Sequence, residues 1–313
     1  MLTLDRISKI YKVGTFGGKE LRAVSDVSFN VEDKEIVSLI GESGSGKSTI
    51  GKMILRLIPK SSGTIAFNNT DISTLKGAAQ KEYYRSVQGV FQDPFCSYNP
   101  IFKADRVFRL IKDGFFPEVS NSEWNDKVEK SLKAVGLNPK HVLDKFPHQL
   151  SGGQLQRFLI ARTLLLDIRF LVADEIISML DASTRMDVLN LLADLKSLGL
   201  SILFITHDLS LGYYISDKSV ILYKGRVVES GLTERVYNNP LHPYTVMLMN
   251  SVPRMDKKWE KDEMHLKAPP SRYANGCVYS ARCPIADKKC LREPPSVEVE
   301  KGHLVACWNK LAI

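Results

Sequence analysis

A chain of 313 residues with 44% hydrophobic content is long enough for one large domain plus a smaller appendage around a proper core, which excludes disorder as its default state. It has no run of about eighteen apolar residues, and the opening MLTLDRISKIYK lacks the apolar centre of a secretion signal. The expectation is a cytosolic protein that neither spans nor crosses a membrane. The formal net charge of +8 is spread along the chain and not gathered in one tract, which argues against nucleic acid as a partner.

Taken in chain order, short apolar runs recur at wide intervals: EIVSLIG (35–41), GVFQ (89–92), RFLVADE (169–175), SILFITH (201–207) and SVILYKG (219–225). Helical patterns separate several of them, so the fold class expected is α/β with a mainly parallel sheet whose strands are buried on both faces. Residues 93–150 carry no comparable run and read as a helical insertion. Within it Ser120 and Glu123 form a capping-box pattern that opens a helix through about Val135, with Gly136 as its stop. Lys224 and Gly225 mark the turn of a hairpin in VILYKGRVVE. After about residue 235 the texture changes to proline-interrupted segments (NNPLHPY, SVPR, APPS, REPPS), which suggests a separate C-terminal region over 236–313.

The first chemical signal is GESGSGKST, residues 41–49, placed between an apolar strand and a helical run. It fits the phosphate-loop pattern G-x-x-x-x-G-K-[ST] in the context that pattern requires. Gly41, Gly44 and Gly46 let the backbone of Glu42, Ser43 and Ser45 curl so that N–H groups converge, and the following helix adds its positive end. Lys47 is expected to reach the β and γ phosphates, and Ser48, next to Thr49, to bind Mg²⁺. RFLVADE ends an apolar strand on Asp174, a candidate Mg²⁺ ligand, and Glu175, a candidate general base for the attacking water. LSGGQLQR, residues 150–157, opens a helix at Ser151, Gly152, Gly153 and Gln154, where a hydroxyl and free N–H groups make a second anion cradle.

Phosphate loop, LSGGQ and VADE, in that order, resemble the ATPase subunits of ATP-binding-cassette (ABC) proteins over residues 1 to about 235. The resemblance implies a P-loop ABC-ATPase core with an antiparallel β subdomain and a helical subdomain at about 93–150. It also implies that two such domains pair head to tail, the signature of one closing on the γ-phosphate held by the other. Three positions carry over by the same resemblance: Gln92 on the Mg²⁺ and the attacking water, His207 as the switch histidine on the γ-phosphate, and Tyr11 stacking on adenine. One stretch departs from the family pattern. Where Pro-Thr-Ser-Ala-Leu-Asp is usual, this chain has Ile176, Ile177, Ser178, Met179, Leu180 and Asp181, which puts the local backbone geometry in question.

FQDPFCSYNP, ERVYNNPLHPYTVMLMNSVP and the cysteine-bearing tail narrow the resemblance to ATPase subunits of dipeptide/oligopeptide importers. That implies a second, related cassette chain, two transmembrane permease subunits, an extracellular substrate-binding protein and a peripheral position on the cytoplasmic face of the membrane. Cello-oligosaccharides and nickel chelates are alternative cargoes of the same group. A soluble, nucleic-acid-linked or redox-regulated ATPase is the rival of a different class. Four of the five cysteines, Cys277, Cys283, Cys290 and Cys307, stand in the tail at spacings C-x5-C-x6-C-x16-C, without the paired knuckles of structural zinc sites. The spacing suits an all-cysteine iron–sulfur site better, and the resemblance implies a [4Fe–4S] cluster; zinc and no metal stay open. The tail has too small a core to fold alone, which gives such a centre a structural role. Cys96 is read as a bystander.

Overall fold

The computed structural model describes residues 1–14, 18–251 and 276–310. In chain order its main elements are β1 (Leu2–Val13), β2 (Lys19–Val31), β3 (Ile36–Ile40), α1 (Lys47–Ile54), β4 (Ser62–Phe67), β5 (Thr70–Asp71), α2 (Gly77–Ser86), β6 (Val87–Val90), α3 (Arg106–Phe115), α4 (Asn121–Ala134) and α5 (Pro139–Val142). There follow α6 (Gly152–Leu164), β7 (Phe170–Asp174), α7 (Ala182–Ser197), β8 (Ser201–Thr206), α8 (Leu209–Ile215), β9 (Lys218–Tyr223), β10 (Arg226–Leu232), α9 (Thr233–Asn238), α10 (Pro243–Asn250), β11 (Val297–Glu300) and β12 (His303–Val305). The chain divides into two compact units, one formed by the described residues of 1–31, 36–69 and 204–313, the other by 32–35 and 70–203. Among the described residues no helix is long and apolar enough to cross a membrane. The proline segments SVPR and APPS lie outside the described residues, apart from Ser251.

The first unit contains an antiparallel sheet in which β1 runs between β2 and β4, pairing Leu4 with Phe29 on one side and with Ile65 on the other. Register shifts interrupt β1 at Leu4–Ile7, Ile7–Lys9 and Lys9–Ile10. The extra residue lies in β1 at the first shift and in β2 at the other two, so the alternation of β1 changes phase once, between Leu4 and Ile7. A second sheet runs in the order β11-β12-β10-β9-β3. Its β3 and β9 are parallel, with Val37 opposite Lys218 and Ile40 opposite Ile221, and all five residues of β3 are buried. β9 and β10 form the expected hairpin, with positive φ at both turn residues, Lys224 (44°) and Gly225 (81°).

The tail takes part in this sheet. β12 pairs antiparallel with β10, placing Val305 opposite Glu229 and Leu304 opposite Ser230, and Ala306 N–H donates to the Val228 carbonyl at 2.9 Å. Two short strands at a sheet edge leave little local pattern in so polar a segment. Through them residues 276–310 share the core of the first unit and do not depend on a core of their own.

In the second unit β6 and β7 pair in parallel, Val87 with Phe170 and Val90 with Ala173. Between them, residues 93–150 hold helices and turns and, as described, no strand. α4 begins on the Ser120–Glu123 capping box and ends before Gly136, whose φ is +70°. Phe108 of α3 stacks on Phe158 of α6 at 4.5 Å, and the Tyr98 ring meets Phe158 edge-on at 6.3 Å.

Candidate nucleotide site

The loop between β3 and α1 is shaped by two close approaches. A Cβ on Gly41 would lie 2.1 Å from the Leu222 carbonyl oxygen, and one on Gly46 would lie 2.4 Å from that of Ala23. Gly46 also has φ +106°, a conformation that only glycine adopts without strain, and it delivers the chain directly into α1. The loop closes on itself through Ser45 N–H to the Glu42 carbonyl (3.1 Å), and Gly225 N–H on the neighbouring hairpin holds the Ser45 carbonyl (2.8 Å). Lys47 is buried, its Nζ donating to the carbonyls of Gly41 (2.7 Å) and Glu42 (3.1 Å). Ser45 Oγ is buried without a hydrogen-bond partner among the described residues, and Ser48 and Thr49 are half-buried at the start of α1. A loop whose glycines admit no Cβ at two points and which leads a buried lysine into the start of a helix has the parts a phosphate-binding loop needs.

In the same unit, Tyr11 lies half-buried on β1 with Lys9 Nζ 4.9 Å from its ring centre, and His207 is exposed immediately after β8. Asp208, next to it, caps α8 through the N–H groups of Ser210 (2.9 Å) and Leu211 (3.4 Å).

The second unit carries the remaining residues. Gln92 is exposed two positions beyond β6, and the loop after it is held by Asp93, which accepts from Phe95 N–H at 2.8 Å. Cys96 Sγ donates to Asp93 at 2.9 Å; this bond raises the pKa of the Cys96 thiol and lowers that of the Asp93 carboxyl. Asp174 is buried at the end of β7, and Glu175 follows half-buried with φ +51°. A left-handed non-glycine residue costs energy and is common where function demands a set direction.

The departure from the family pattern after Glu175 resolves into an ordered turn. Ser178 N–H and Oγ both donate to the Glu175 carbonyl (3.2 and 2.9 Å), and Leu180 N–H donates to the Ile177 carbonyl (3.2 Å). Ile176, Ile177 and Leu180 are buried, so apolar contacts do here what a proline would do by restricting φ. Asp181 then caps α7, accepting from Thr184 N–H (3.0 Å), Thr184 Oγ1 (2.7 Å) and Ser183 Oγ (2.6 Å), which together hold its carboxyl well below the usual range. Ser151 opens α6 as its sequence suggests: its Oγ accepts Gln154 N–H at 3.2 Å and Gln154 Oε1 accepts Ser151 N–H at 2.9 Å. Gly153 packs close to Thr184 of α7, whose methyl would sit 2.9 Å from an added Cβ.

A buried polar centre links the tail to the first unit. Glu229 of β10 accepts from the N–H groups of Leu241 (2.9 Å) and His242 (2.8 Å) and meets His303 Nε2 of β12 at 2.8 Å. His242 caps α10, its Nδ1 accepting Tyr244 N–H at 3.0 Å, and burial pushes it down to about 4 against the opposing pull of Glu229. Tyr244 is fully buried; its ring packs against Tyr223 (4.5 Å) and Tyr279 (5.4 Å), and its hydroxyl accepts the N–H of Glu42 in the phosphate loop at 3.0 Å. Arg282 donates to both carboxylate oxygens of Glu42, at 2.9 and 3.0 Å.

Residues 24–178 match the family model described as ABC transporter, and residues 228–290 match the one described as oligopeptide/dipeptide transporter, C-terminal region. The oligopeptide transport ATP-binding protein OppF of Salmonella typhimurium is 37% identical over 295 residues, covering 92% of this chain and 88% of that protein; OppF of Escherichia coli is 36% identical over the same length and shares. The chain belongs to the ABC transporter ATPases. A solved dimeric ATP-binding cassette in a post-hydrolysis state, bound to ADP and Pi, superposes on this ABC ATPase with a TM-score of 0.67 at 28% identity, over 74% of this chain and 99% of that one. The chain is therefore an ATP-hydrolysing cassette subunit of a transporter.

Sequence reasoning missed Tyr244 and Arg282, which touch Glu42 of the phosphate loop, and His242, which caps the helix that carries Tyr244. The segment NPLHPYT was the available signal, but nothing in it says which partner its tyrosine meets. The four tail cysteines are all free thiols; Cys290 and Cys307 are buried, Cys277 and Cys283 half-buried. Burial first, and then the negative charge of neighbouring cysteines, raise the thiols of Cys277 and of Cys283 (to about 11); burial and then Asp287, ahead of Cys307, raise that of Cys290. Backbone N–H groups oppose this: those of Tyr279 and Ser280 favour the Cys277 thiolate, that of Ile285 the Cys283 thiolate and that of Asp287 the Cys290 thiolate. Among the described residues no three His, Cys, Asp or Glu side chains converge closely enough to share a single metal ion. The described residues therefore do not bring out the expected [4Fe–4S] site.

Proposed function

We propose that this ABC ATPase drives the import of di- or oligopeptides, and the observation that carries the reading is the match of residues 228–290 to the oligopeptide/dipeptide transporter C-terminal region. Gly41, Glu42, Ser43, Gly44, Ser45, Gly46, Lys47, Ser48 and Thr49 bind the phosphates of ATP, and Tyr11 stacks on adenine. Glu175 acts as general base toward the attacking water, Gln92 orients that water, and His207 contacts the γ-phosphate. Ser48, Gln92 and Asp174 supply the hard oxygen donors that suit Mg²⁺. When bound, Mg²⁺ neutralises charge on the phosphate oxygens.

Ser151, Gly152, Gly153 and Gln154 close on the nucleotide of a second, related cassette chain. ATP binds the closed pair better than the open one, and that difference is what moves two transmembrane permease subunits. An extracellular binding protein selects the peptide, and this chain works at the cytoplasmic face as a peripheral subunit. In the domain division that goes with this reading, 1–235 is the ATPase domain, with its helical subdomain at about 93–150, and 236–313 is the extension. Cys277, Cys283, Cys290 and Cys307 hold a [4Fe–4S] cluster that ties the loops of the extension together; iron and sulfide analysis of anaerobically purified protein tests it.

The test of function is ATP hydrolysis by the complex reconstituted with its permeases and binding protein in vesicles. Peptide-loaded binding protein is expected to stimulate hydrolysis; Lys47→Ala removes ATP binding, and Glu175→Gln keeps ATP bound without turnover. Stimulation by a sugar or a metal chelate and not by peptide overturns the cargo assignment, and wild-type turnover in Glu175→Gln overturns the general-base assignment.

A further inference from the structure

Glu42, a variable position of the phosphate loop, is held at three points. Its N–H goes to the Tyr244 hydroxyl (3.0 Å), its carboxylate receives Arg282 (2.9 and 3.0 Å), and its carbonyl accepts both Ser45 N–H (3.1 Å) and Lys47 Nζ (3.1 Å). Two of these grips come from beyond residue 240, from α10 and from the tail. Both grips are themselves anchored. Tyr244 is fully buried, with its ring 4.5 Å from Tyr223 and 5.4 Å from Tyr279; Tyr223 and Tyr279 stand 5.2 Å apart. The Arg282 guanidinium lies 6.0 Å from the Tyr223 ring centre and 5.9 Å from that of Tyr279, and Arg282 N–H donates to the Tyr279 carbonyl at 2.9 Å.

We propose that Tyr244 and Arg282 are positioning residues of the phosphate loop, through which the C-terminal extension sets the affinity of this chain for ATP. The proposal rests on the nucleotide-binding reading of residues 41–49. The physical argument is pre-organisation: a loop that must present several N–H groups at once binds polyphosphate more tightly when its conformational freedom is already restricted. Glu42 is the point at which that restriction is applied, because the same residue supplies a carbonyl that places Lys47. A loop released from Tyr244 and Arg282 keeps its phosphate-binding groups but samples more conformations. Its affinity falls, while turnover at saturating ATP is retained.

The decisive measurement is equilibrium binding of ATP to the full-length chain, with KM and kcat for ATP measured on the reconstituted complex. Tyr244→Phe removes only the hydroxyl and leaves the Glu42 N–H unanswered, and is expected to weaken ATP binding about tenfold. Arg282→Gln breaks a partly exposed ion pair and is expected to weaken it about threefold, with kcat within about twofold of wild type. Arg282→Lys keeps the charge and is expected to recover most of the loss. Because Glu42 and Arg282 act as a pair, Glu42→Gln combined with Arg282→Gln is expected to be no worse than the weaker-binding of the two single variants. Lys47→Ala separates the proposal from the reading beneath it: unchanged ATP binding in that variant means that the nucleotide site itself is misassigned. Lost binding in Lys47→Ala together with wild-type affinity in Tyr244→Phe and Arg282→Gln overturns the positioning role, as does a lowered kcat at unchanged affinity.

Discussion

His303 Nε2 lies 2.8 Å from Glu229 Oε1, and neither side chain is exposed to solvent. A residue of the last strand and a residue of β10 thereby share one buried polar centre, to which the N–H groups of Leu241 and His242 also donate. Removing one partner of a buried pair leaves the others desolvated and unanswered, so Glu229→Ala is expected to lower the unfolding free energy by about 3–5 kcal/mol. Urea denaturation followed by tryptophan fluorescence checks it, Trp308 reporting from beside the last strand. A loss below about 1 kcal/mol would mean that this centre does not hold the extension.

His242 gives the fold a pH dependence of defined sign. Burial lowers its pKa to about 4, against about 6.5 in an unfolded chain, so the unfolded state binds the extra proton first as pH falls. Stability is complete above about pH 6.5 and declines toward pH 4, by on the order of 3 kcal/mol in all from this group. His242→Gln should flatten the thermal-stability profile in that window while leaving the profile above pH 7 parallel to wild type.

Much of the candidate nucleotide site could be read from the sequence because its signals are local. The phosphate loop, the Ser151 cap and the Lys224–Gly225 turn each depend on residues within a few positions of one another, where spacing and residue type decide the backbone. The grip on Glu42 was not legible, since Arg282 stands 240 residues away in sequence and neither residue type is unusual at its position. β1 did not stand out as an apolar run for a different reason: an extra residue between Leu4 and Ile7 changes the phase of its alternation. The turn at 176–180 lay between these cases. Its buried isoleucines were visible as apolar residues, but their substitution for a proline's rigidity required the packing to be seen.

The glycines of the phosphate loop are not equivalent. Gly44 has φ +79° but open space where a Cβ would stand, so Gly44→Ala is expected to cost about 1 kcal/mol, the price of a left-handed residue, and to leave ATP binding measurable. Gly46→Ala adds a 2.4 Å approach to the Ala23 carbonyl, and is expected to cost more than about 2 kcal/mol and to abolish ATP binding. Calorimetric unfolding and ATP titration of the two variants side by side distinguish steric collision from backbone conformation. Equal losses in both would remove the close approach as the reason for glycine at position 46.

Arg185 ties the divergent turn to α7. Its Nε donates to the Leu180 carbonyl at 2.7 Å and its NH2 group to that of Ser178 at 3.4 Å, so one side chain answers two carbonyls that a different turn would satisfy locally. Ser178 in turn holds the Glu175 carbonyl, which connects Arg185 to the carboxylate assigned as general base. Arg185→Met preserves most of the aliphatic stem but removes both donors, and is expected to destabilise the protein by about 1–2 kcal/mol. Since the phosphate-binding residues are untouched, ATP affinity should stay within about twofold of wild type while the hydrolysis rate falls about tenfold, through a misdirected Glu175. Arg185→Lys should restore stability only in part, because one ammonium cannot reproduce the planar reach to both carbonyls. A variant that loses ATP affinity and hydrolysis in equal measure would place the effect of Arg185 on folding and not on the direction of Glu175.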